Sequence, residues 1–576
     1  MFPHKLIEQR LRETVAAVLP DADLSTVQVR PCPDPKFGDY QSTALISLAK
    51  ARKLNPRQLA GDVLAKLDVA EWSEPVEIAG AGFLNFRLKP AALAQALQPA
   101  AQGESLLFEK TAQPKTVVLD FSSPNVAKPM HVGHIRSTIL GDALARLLRL
   151  LGHRVVTDNH IGDWGTQFGK LLVGWKKHLD KTALEQDPIA EMERLYKLIN
   201  AASEVDPAVL EEARHELVKL QRGDPENLGI WREMIALSEA QFDQIYNRLG
   251  VRFDYTLGES FYHARLQPLV QELFEKGIAR QSEGAMAVFF EDIPQLKSNP
   301  ALIQKSDGAF NYTTTDLATL AHRLETWHPD EIIYVTGGPQ QLHFQQLFAI
   351  FRRWHPEARI KLAHVWFGSI LGEDGRPFKT RAGETIGLSN LLNEAEERAL
   401  KVVAEKNPEL PAPQQSEIAR VVGIGAIKYA DLLPNRQSDY VFSWEKMLAL
   451  NGNTAPYLQY AYTRIRSIFR KGEIKESELA GQGSQMKLEA AEERALAMHL
   501  LNFSFVLEAA AEEYRLNFLC NYLYELAGHF SRFFENCPVL KAEPEKRASR
   551  LLLCHLTGRV LKQGLEVLGI ETLEKM

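Results

Sequence analysis

Cysteine is scarce: Cys32, Cys520, Cys537 and Cys554 are the only four in 576 residues, and no two stand in a C-x-x-C spacing. That excludes a disulfide framework and a thiolate zinc site, so the four read as buried thiols. No apolar run reaches the ~18–20 residues of a membrane span. The opening MFPHKLIEQRLRET reads as a charged helix with no signal-peptide core. The expectation is a soluble, cytoplasmic protein without a membrane partner. Charge of one sign is also missing. With 67 basic and 73 acidic residues the net charge is −6, which leaves any nucleic-acid partner to local patches rather than bulk attraction. The 36 glycines and 29 prolines form no repeat, which removes fibrous and low-complexity architectures. What the chain has is length, and 576 residues divide into several domains.

Residues 1–110 read as a small α+β unit: an amphipathic helix, the segment NPRQLAGDVLAKL, and the alternating VEIAGAGFLNFRL. Then TVVLDF (116–121) has a buried-strand pattern, HVGHIRSTILGDALARLLRLLG a helical one that should stop at Gly152, and RVVTDN a second strand. Strand, helix and strand in that order make a βαβ unit, the building block of parallel sheets. A charged helical insertion occupies about 172–250. The sheet pattern resumes through AMAVFF (285–290), EIIYVTGG (331–338) and HVWFG (364–368), and the α/β domain spans 111–390. Beyond 391 no strand is expected. Residues 391–450 read as a helical connection and 451–576 as an all-α domain.

Two segments could carry chemistry. His131-Val132-Gly133-His134 lies between a strand and a helix start, where free N–H groups and the positive dipole end suit a phosphate, and Gly133 permits close approach. Two imidazoles three residues apart share one side of that turn and could donate to a phosphoryl group as charge builds. Alone, the tetrapeptide equally suits two surface histidines. GEDGRPFKTRAG (372–383) brings Lys379 and Arg381 on a glycine-punctuated loop that could close over a triphosphate, and alone it equally suits a solvated basic loop. No metal-ligating cluster is visible.

FSSPNVAKPMHVGHIRSTILGDAL (121–144) resembles the extended HIGH signature of class I aminoacyl-tRNA synthetases, specifically arginyl-tRNA synthetases. The resemblance continues through GDWGTQFGKL, GESFY, NTAPYLQYAYTRI and the LGI near the end. It implies a Rossmann-like catalytic domain with a helical insertion, an N-terminal α+β additional domain, and a C-terminal all-α anticodon-binding domain of DALR type. It further implies activation of L-arginine by ATP to arginyl-adenylate and transfer to the terminal adenosine of tRNA(Arg), with Mg²⁺ carried by the ATP phosphates. In this family activation generally waits for the tRNA, and the usual state is a monomer.

Residue by residue, the resemblance implies ATP contacts from His131, Gly133 and His134, joined by Lys379 and Arg381 of FKTRA. That loop departs from the common KMSKS, and Lys128 stands where arginyl enzymes of this type carry a lysine thought to replace the missing one. A guanidinium is permanently charged, and its planar fork of donors calls for carboxylates. Tyr312 and Asp316, at i and i+4, match the family's guanidinium-binding pair, and Glu259 a second acid. Ser123, Asn125 and Gln340 match positions that hold the amino and carboxylate groups of the substrate. For tRNA, Tyr460 and Arg464 lie in an aromatic and cationic stripe suited to unpaired bases, while Phe83 and Asn85 of GFLNF would meet the outer corner of the tRNA. A small-molecule nucleotidyltransferase and a non-catalytic RNA-binding paralogue are the rival readings. The first leaves the helical third without a purpose, and intact His131, His134, Asn125 and Asp316 speak against the second.

Overall fold

The computed structural model describes residues 2–104, 106–378, 386–479 and 485–576, apart from the side chains of Ser477 and Glu478. Lys379 and Arg381 lie outside the described residues.

A five-stranded, all-parallel sheet organises the central region. Its order across the sheet is Lys361–His364, Glu331–Val335, Thr116–Phe121, Arg154–Asn159, Tyr255–Thr256. The first strand in the chain is therefore central, and the order reverses between it and Glu331–Val335. In an open parallel sheet such a reversal leaves a crevice at the carboxyl ends of the two strands, where ligands bind. Side-chain alternation assigns the two faces. Val118, Val156, Ile332 and Tyr334 pack into one core with the helices His263–Glu275, Tyr312–Trp327 and Gln341–Trp354. Val117, Leu119, Phe121, Ile333 and Val335 pack into the other, which runs on beneath the helix Val132–Leu150 into the N-terminal and C-terminal regions. Helix and strand approach closely because Gly141 faces Phe121: a Cβ at that position would fall 2.1 Å from the ring.

The insertion is helical, with five helices between Gln167 and Leu249. The N-terminal unit is a four-stranded antiparallel sheet with helices. Its hairpin Glu77–Ala79 and Phe83–Phe86 is extended by Tyr40–Ser42 and Arg30–Pro31. This unit rests on the C-terminal helices: Tyr40 donates to Asn502 (3.1 Å), Arg494 pairs with Asp39, and the His4 ring lies 4.3 Å from that of Phe505.

Four expectations need correcting. Ala285–Val288 is a strand, but it belongs to a separate three-stranded antiparallel sheet with Arg280–Ser282 and Ala301–Gln304; a short apolar run does not reveal its sheet. The last main-sheet strand ends at His364, where HVWFG begins. A two-residue strand, Tyr440–Val441, exists beyond 391 and pairs in parallel with Ile370–Leu371. Of the cysteines, Cys32 is only half-buried, whereas the other three are buried.

Candidate active site

The loop Ser122–Met130 leaves the central strand at the crevice and leads into the helix Val132–Leu150. Three of its non-glycine residues are left-handed: Ser122 (φ 71°), Ser123 (φ 48°) and Ala127 (φ 59°). Such strain persists only where surroundings over-determine it. Here Ser122 N donates to Ser137 Oγ (2.9 Å), Ser123 N to Asn159 Oδ1 (3.0 Å) and Ala127 N to Ser238 Oγ (3.0 Å). Ser123 Oγ in turn donates to Asp120 (2.9 Å). Asn125 pairs with Gly162, whose carbonyl accepts from Val126 N at 3.0 Å.

The two histidines cap the helix start reciprocally. His131 Nδ1 accepts from Gly133 N (3.0 Å), His134 Nδ1 accepts from His131 N (3.1 Å), and the rings lie 4.1 Å apart. A Cβ on Gly133 would stand 2.8 Å from the His131 ring, so glycine is what allows this pose. Burial, reinforced by the neighbouring ring of His131, lowers the His134 pKa to about 4; burial and Lys128 lower that of His131. Both rings are thus neutral near pH 7. With Nδ1 accepting, the proton sits on Nε2, and each ring presents an N–H donor. Lys128 is exposed, its ammonium 5.6 Å from the centre of the Tyr196 ring of the insertion. Of the residues that flank 379–385, those after it are anchored at this same turn, with Val132 N donating to Ile386 O (3.0 Å) and Leu388 N to Met130 O (2.8 Å), while Phe378 before it stacks on Phe442.

Across the crevice lies a cluster of acids. Tyr312 and Asp316 fall on the first turns of the helix Tyr312–Trp327, as their spacing predicts, and both touch His343. The Tyr312 and His343 rings meet edge to face at 4.7 Å, and His343 Nε2 stands 2.5 Å from Asp316 Oδ2. Glu259 opens the short turn Glu259–Tyr262. Burial, to which the charges of Asp316 and Asp163 add and which His160 opposes, pushes its pKa up to about 7. Gln340 ends the turn Gly338–Gln340 and is exposed. The helix that carries Asp316 is locked to the sheet by Arg323, fully buried between Asp120 (2.6 Å) and Asp158 (2.8 Å).

The residues expected to meet tRNA lie elsewhere. Phe83 is half-buried and Asn85 buried in the N-terminal hairpin, with Asn85 Oδ1 unpaired. Tyr460 is about half exposed, and Arg464 stacks over Phe534 at 4.8 Å. Other members of that stripe face inward or are engaged: Tyr462 and Phe469 are buried, while Arg466 and Arg470 bond Glu574.

Sequence reasoning does not single out His343, His160, Arg323 or Arg136. The only visible signal is Asp120, a charge inside the apolar strand TVVLDF. Among the described residues no group of three or more His, Cys, Asp or Glu is arranged to hold a metal ion.

Comparisons with known proteins agree along the whole chain. The family model for the catalytic domain of class I (R) tRNA synthetases matches residues 96–444, the arginyl tRNA synthetase N-terminal domain matches 5–88, and the DALR anticodon binding domain matches 458–576. An arginine–tRNA ligase of Shigella sonnei is 45% identical over 99% of both chains. One from Citrobacter koseri is 47% identical over 95% of this chain and 96% of its own. Among solved structures, the arginyl-tRNA synthetase of Plasmodium falciparum superposes with a TM-score of 0.83 at 29% identity, covering 100% of this chain and 99% of that one. That of Thermus thermophilus gives 0.82 at 26% identity, covering both chains fully.

Proposed function

Because the chain belongs to the arginyl-tRNA synthetases of class I, and is thereby an arginine–tRNA ligase of translation that uses ATP, arginine and tRNA(Arg), we propose how its own residues divide that work. The observation that carries the reading is a neutral donor pair at the helix start after the central strand, together with a cluster of carboxyls on other segments beside the same parallel sheet.

Arginine lies with its guanidinium against Asp316, Tyr312 and Glu259, and with its amino and carboxylate groups against Ser123, Asn125 and Gln340. The substrate carboxylate attacks the α-phosphate in line and pyrophosphate leaves. The adenylate is then attacked by a hydroxyl of the terminal adenosine, releasing AMP. No group of the enzyme need act as nucleophile. What the protein must do is position the reactants and meet developing charge. The Nε2–H donors of His131 and His134 suit that role, since neutral rings require no proton to move and rings fixed by the backbone need no reorganisation. Lys128 supplies a cation on the same side, joined by Lys379 and Arg381. Magnesium would arrive with the triphosphate rather than on a protein site and would offset part of its charge.

On the same reading, Tyr460 and Arg464 meet the anticodon loop, and Phe83 with Asn85 the outer corner of the tRNA. Of the two, Phe83 is the more accessible, and Asn85 is buried. We divide the chain at about 110, 390 and 450; the family matches to 5–88, 96–444 and 458–576 are in keeping with three main units, and the catalytic match runs through 390 without a break. We infer a cytoplasmic monomer from the family resemblance; no described helix is long and apolar enough to cross a membrane. Arginine-dependent exchange of pyrophosphate into ATP, with and without added tRNA, tests the reading. Exchange that appears only with tRNA supports it in full. Arginine-dependent exchange indifferent to tRNA would show that activation does not wait for tRNA, and none under either condition would contradict the assigned division of work.

A further inference from the structure

Asp316 leaves its helix with each carboxylate oxygen facing an imidazole. His343 Nε2 stands 2.5 Å from Oδ2, whereas His160 Nε2 stands 3.9 Å from Oδ1, outside hydrogen-bond range. The His343 ring also meets Tyr312 edge to face. It is carried on the first turns of the helix Gln341–Trp354, which begins one residue after Gln340. One side chain thus touches two of the residues assigned to the guanidinium and shares a turn with a third substrate contact.

His343 Nδ1 is buried and has no hydrogen-bond partner, so the ring is oriented through Nε2, which can donate to Asp316 Oδ2. A carboxylate turns easily about its last bond, yet a bidentate meeting with a planar guanidinium requires its plane to be held.

We propose that His343 is a positioning residue for arginine recognition: by donating from Nε2 to Oδ2 it fixes the plane of Asp316 and so sharpens discrimination between arginine and citrulline, its neutral isostere. The proposal rests on the assignment of Asp316 as counter-charge to the substrate.

The test is pyrophosphate exchange with tRNA present. It compares wild type, His343→Leu, His343→Gln, His343→Asn and Asp316→Asn for the KM of arginine, the KM of ATP, kcat, and the ratio of arginine to citrulline turnover. The glutamine amide reaches roughly where Nε2 stands, and the shorter asparagine does not. Loss of a hydrogen bond to a charged group should raise the arginine KM of His343→Leu by about tenfold or more, with the ATP KM held within about twofold. His343→Gln should recover most of that loss and His343→Asn little. A leucine variant with wild-type arginine KM, equal rises in both KM values, or a glutamine variant no better than the asparagine one would each overturn the proposal. Should the leucine variant fail to fold, the comparison of glutamine with asparagine decides alone. If Asp316→Asn abolishes discrimination while His343→Leu leaves it intact, only the positioning role fails. If Asp316→Asn itself leaves it intact, the pocket assignment fails first.

Discussion

Arg136 and Asp431 form an ion pair of 3.0 Å between side chains that are each 1% exposed. Arg136 lies two residues beyond His134, and Asp431 near the end of the helix Ala412–Leu432. The same guanidinium donates to the carbonyls of Gly368 (2.7 Å) and Ser438 (3.3 Å), which flank the pairing of Ile370–Leu371 with Tyr440–Val441. One buried cation thus ties the signature helix to the base of the segment leading to Lys379 and to the helical region beyond. Removing one partner leaves an uncompensated charge in the core. Asp431→Ala is expected to cost about 3–5 kcal/mol, read from the urea midpoint, whereas the double variant Arg136→Met, Asp431→Leu should recover a large part.

His134→Ala removes a fixed donor that matters most as charge develops. A loss of roughly 2–4 kcal/mol in transition-state stabilisation is expected, seen in kcat more than in the arginine KM. Full aminoacylation activity in this variant would remove the role. Since the wild-type ring is neutral down to about pH 4, acidification from pH 8 to 5 should not by itself switch this donor off.

Lys128 is proposed to serve the ATP phosphates because the sequence FKTRA lacks the usual second lysine. Lys128→Ala should therefore impair arginine activation at least as severely as Lys379→Ala. Single-turnover adenylate formation compares them, and unchanged kinetics for Lys128→Ala would show that it does not stand in for the missing lysine.

Burial lowers the pKa of His4 to about 3 and that of His499 to about 4. The folded state keeps them neutral while the unfolded chain protonates them below its ordinary value near 6.5. Stability is therefore full above that value and falls as pH drops toward 4, by up to about 1.4 kcal/mol per pH unit for each group. Thermal melts between pH 7.5 and 5 should show Tm declining, and His4→Phe should flatten part of the slope. His4 stands between the N-terminal unit and Phe505 of the C-terminal region, so the melt also reports on that junction.

The strand Thr116–Phe121 and the helix after it are legible in the sequence because a strand run and an apolar helical spacing are local signals, whereas Tyr312 and Asp316 are found through the family resemblance, their i, i+4 spacing adding only that they share a helix face. The contacts that finish the site are not local. His343 reaches Asp316 from another helix, Arg323 crosses from helix to sheet to meet Asp120 and Asp158, and Arg136 finds Asp431 in a different region. Such polar partners carry no period, and only the packed fold brings them together. The same holds for Ala285–Val288, whose apolar character announces a strand but not its neighbours, and for Tyr440–Val441, too short to show alternation.

Asp316 is the charge proposed to recognise arginine, with Tyr312 second to it. Asp316→Asn keeps size and some hydrogen bonding but removes the charge, and a desolvated cation left without its partner costs about 3–5 kcal/mol. Tyr312→Phe forfeits one hydrogen bond, about 1–2 kcal/mol, and its ring can still pack on His343. The decisive comparison is arginine KM and kcat for both variants, with tRNA present and citrulline as the competing substrate. Arginine affinity and discrimination should collapse in Asp316→Asn and fall less in Tyr312→Phe, with the ATP KM nearly unchanged in both. Intact discrimination in Asp316→Asn would refute the assignment and move the principal counter-charge to Glu259.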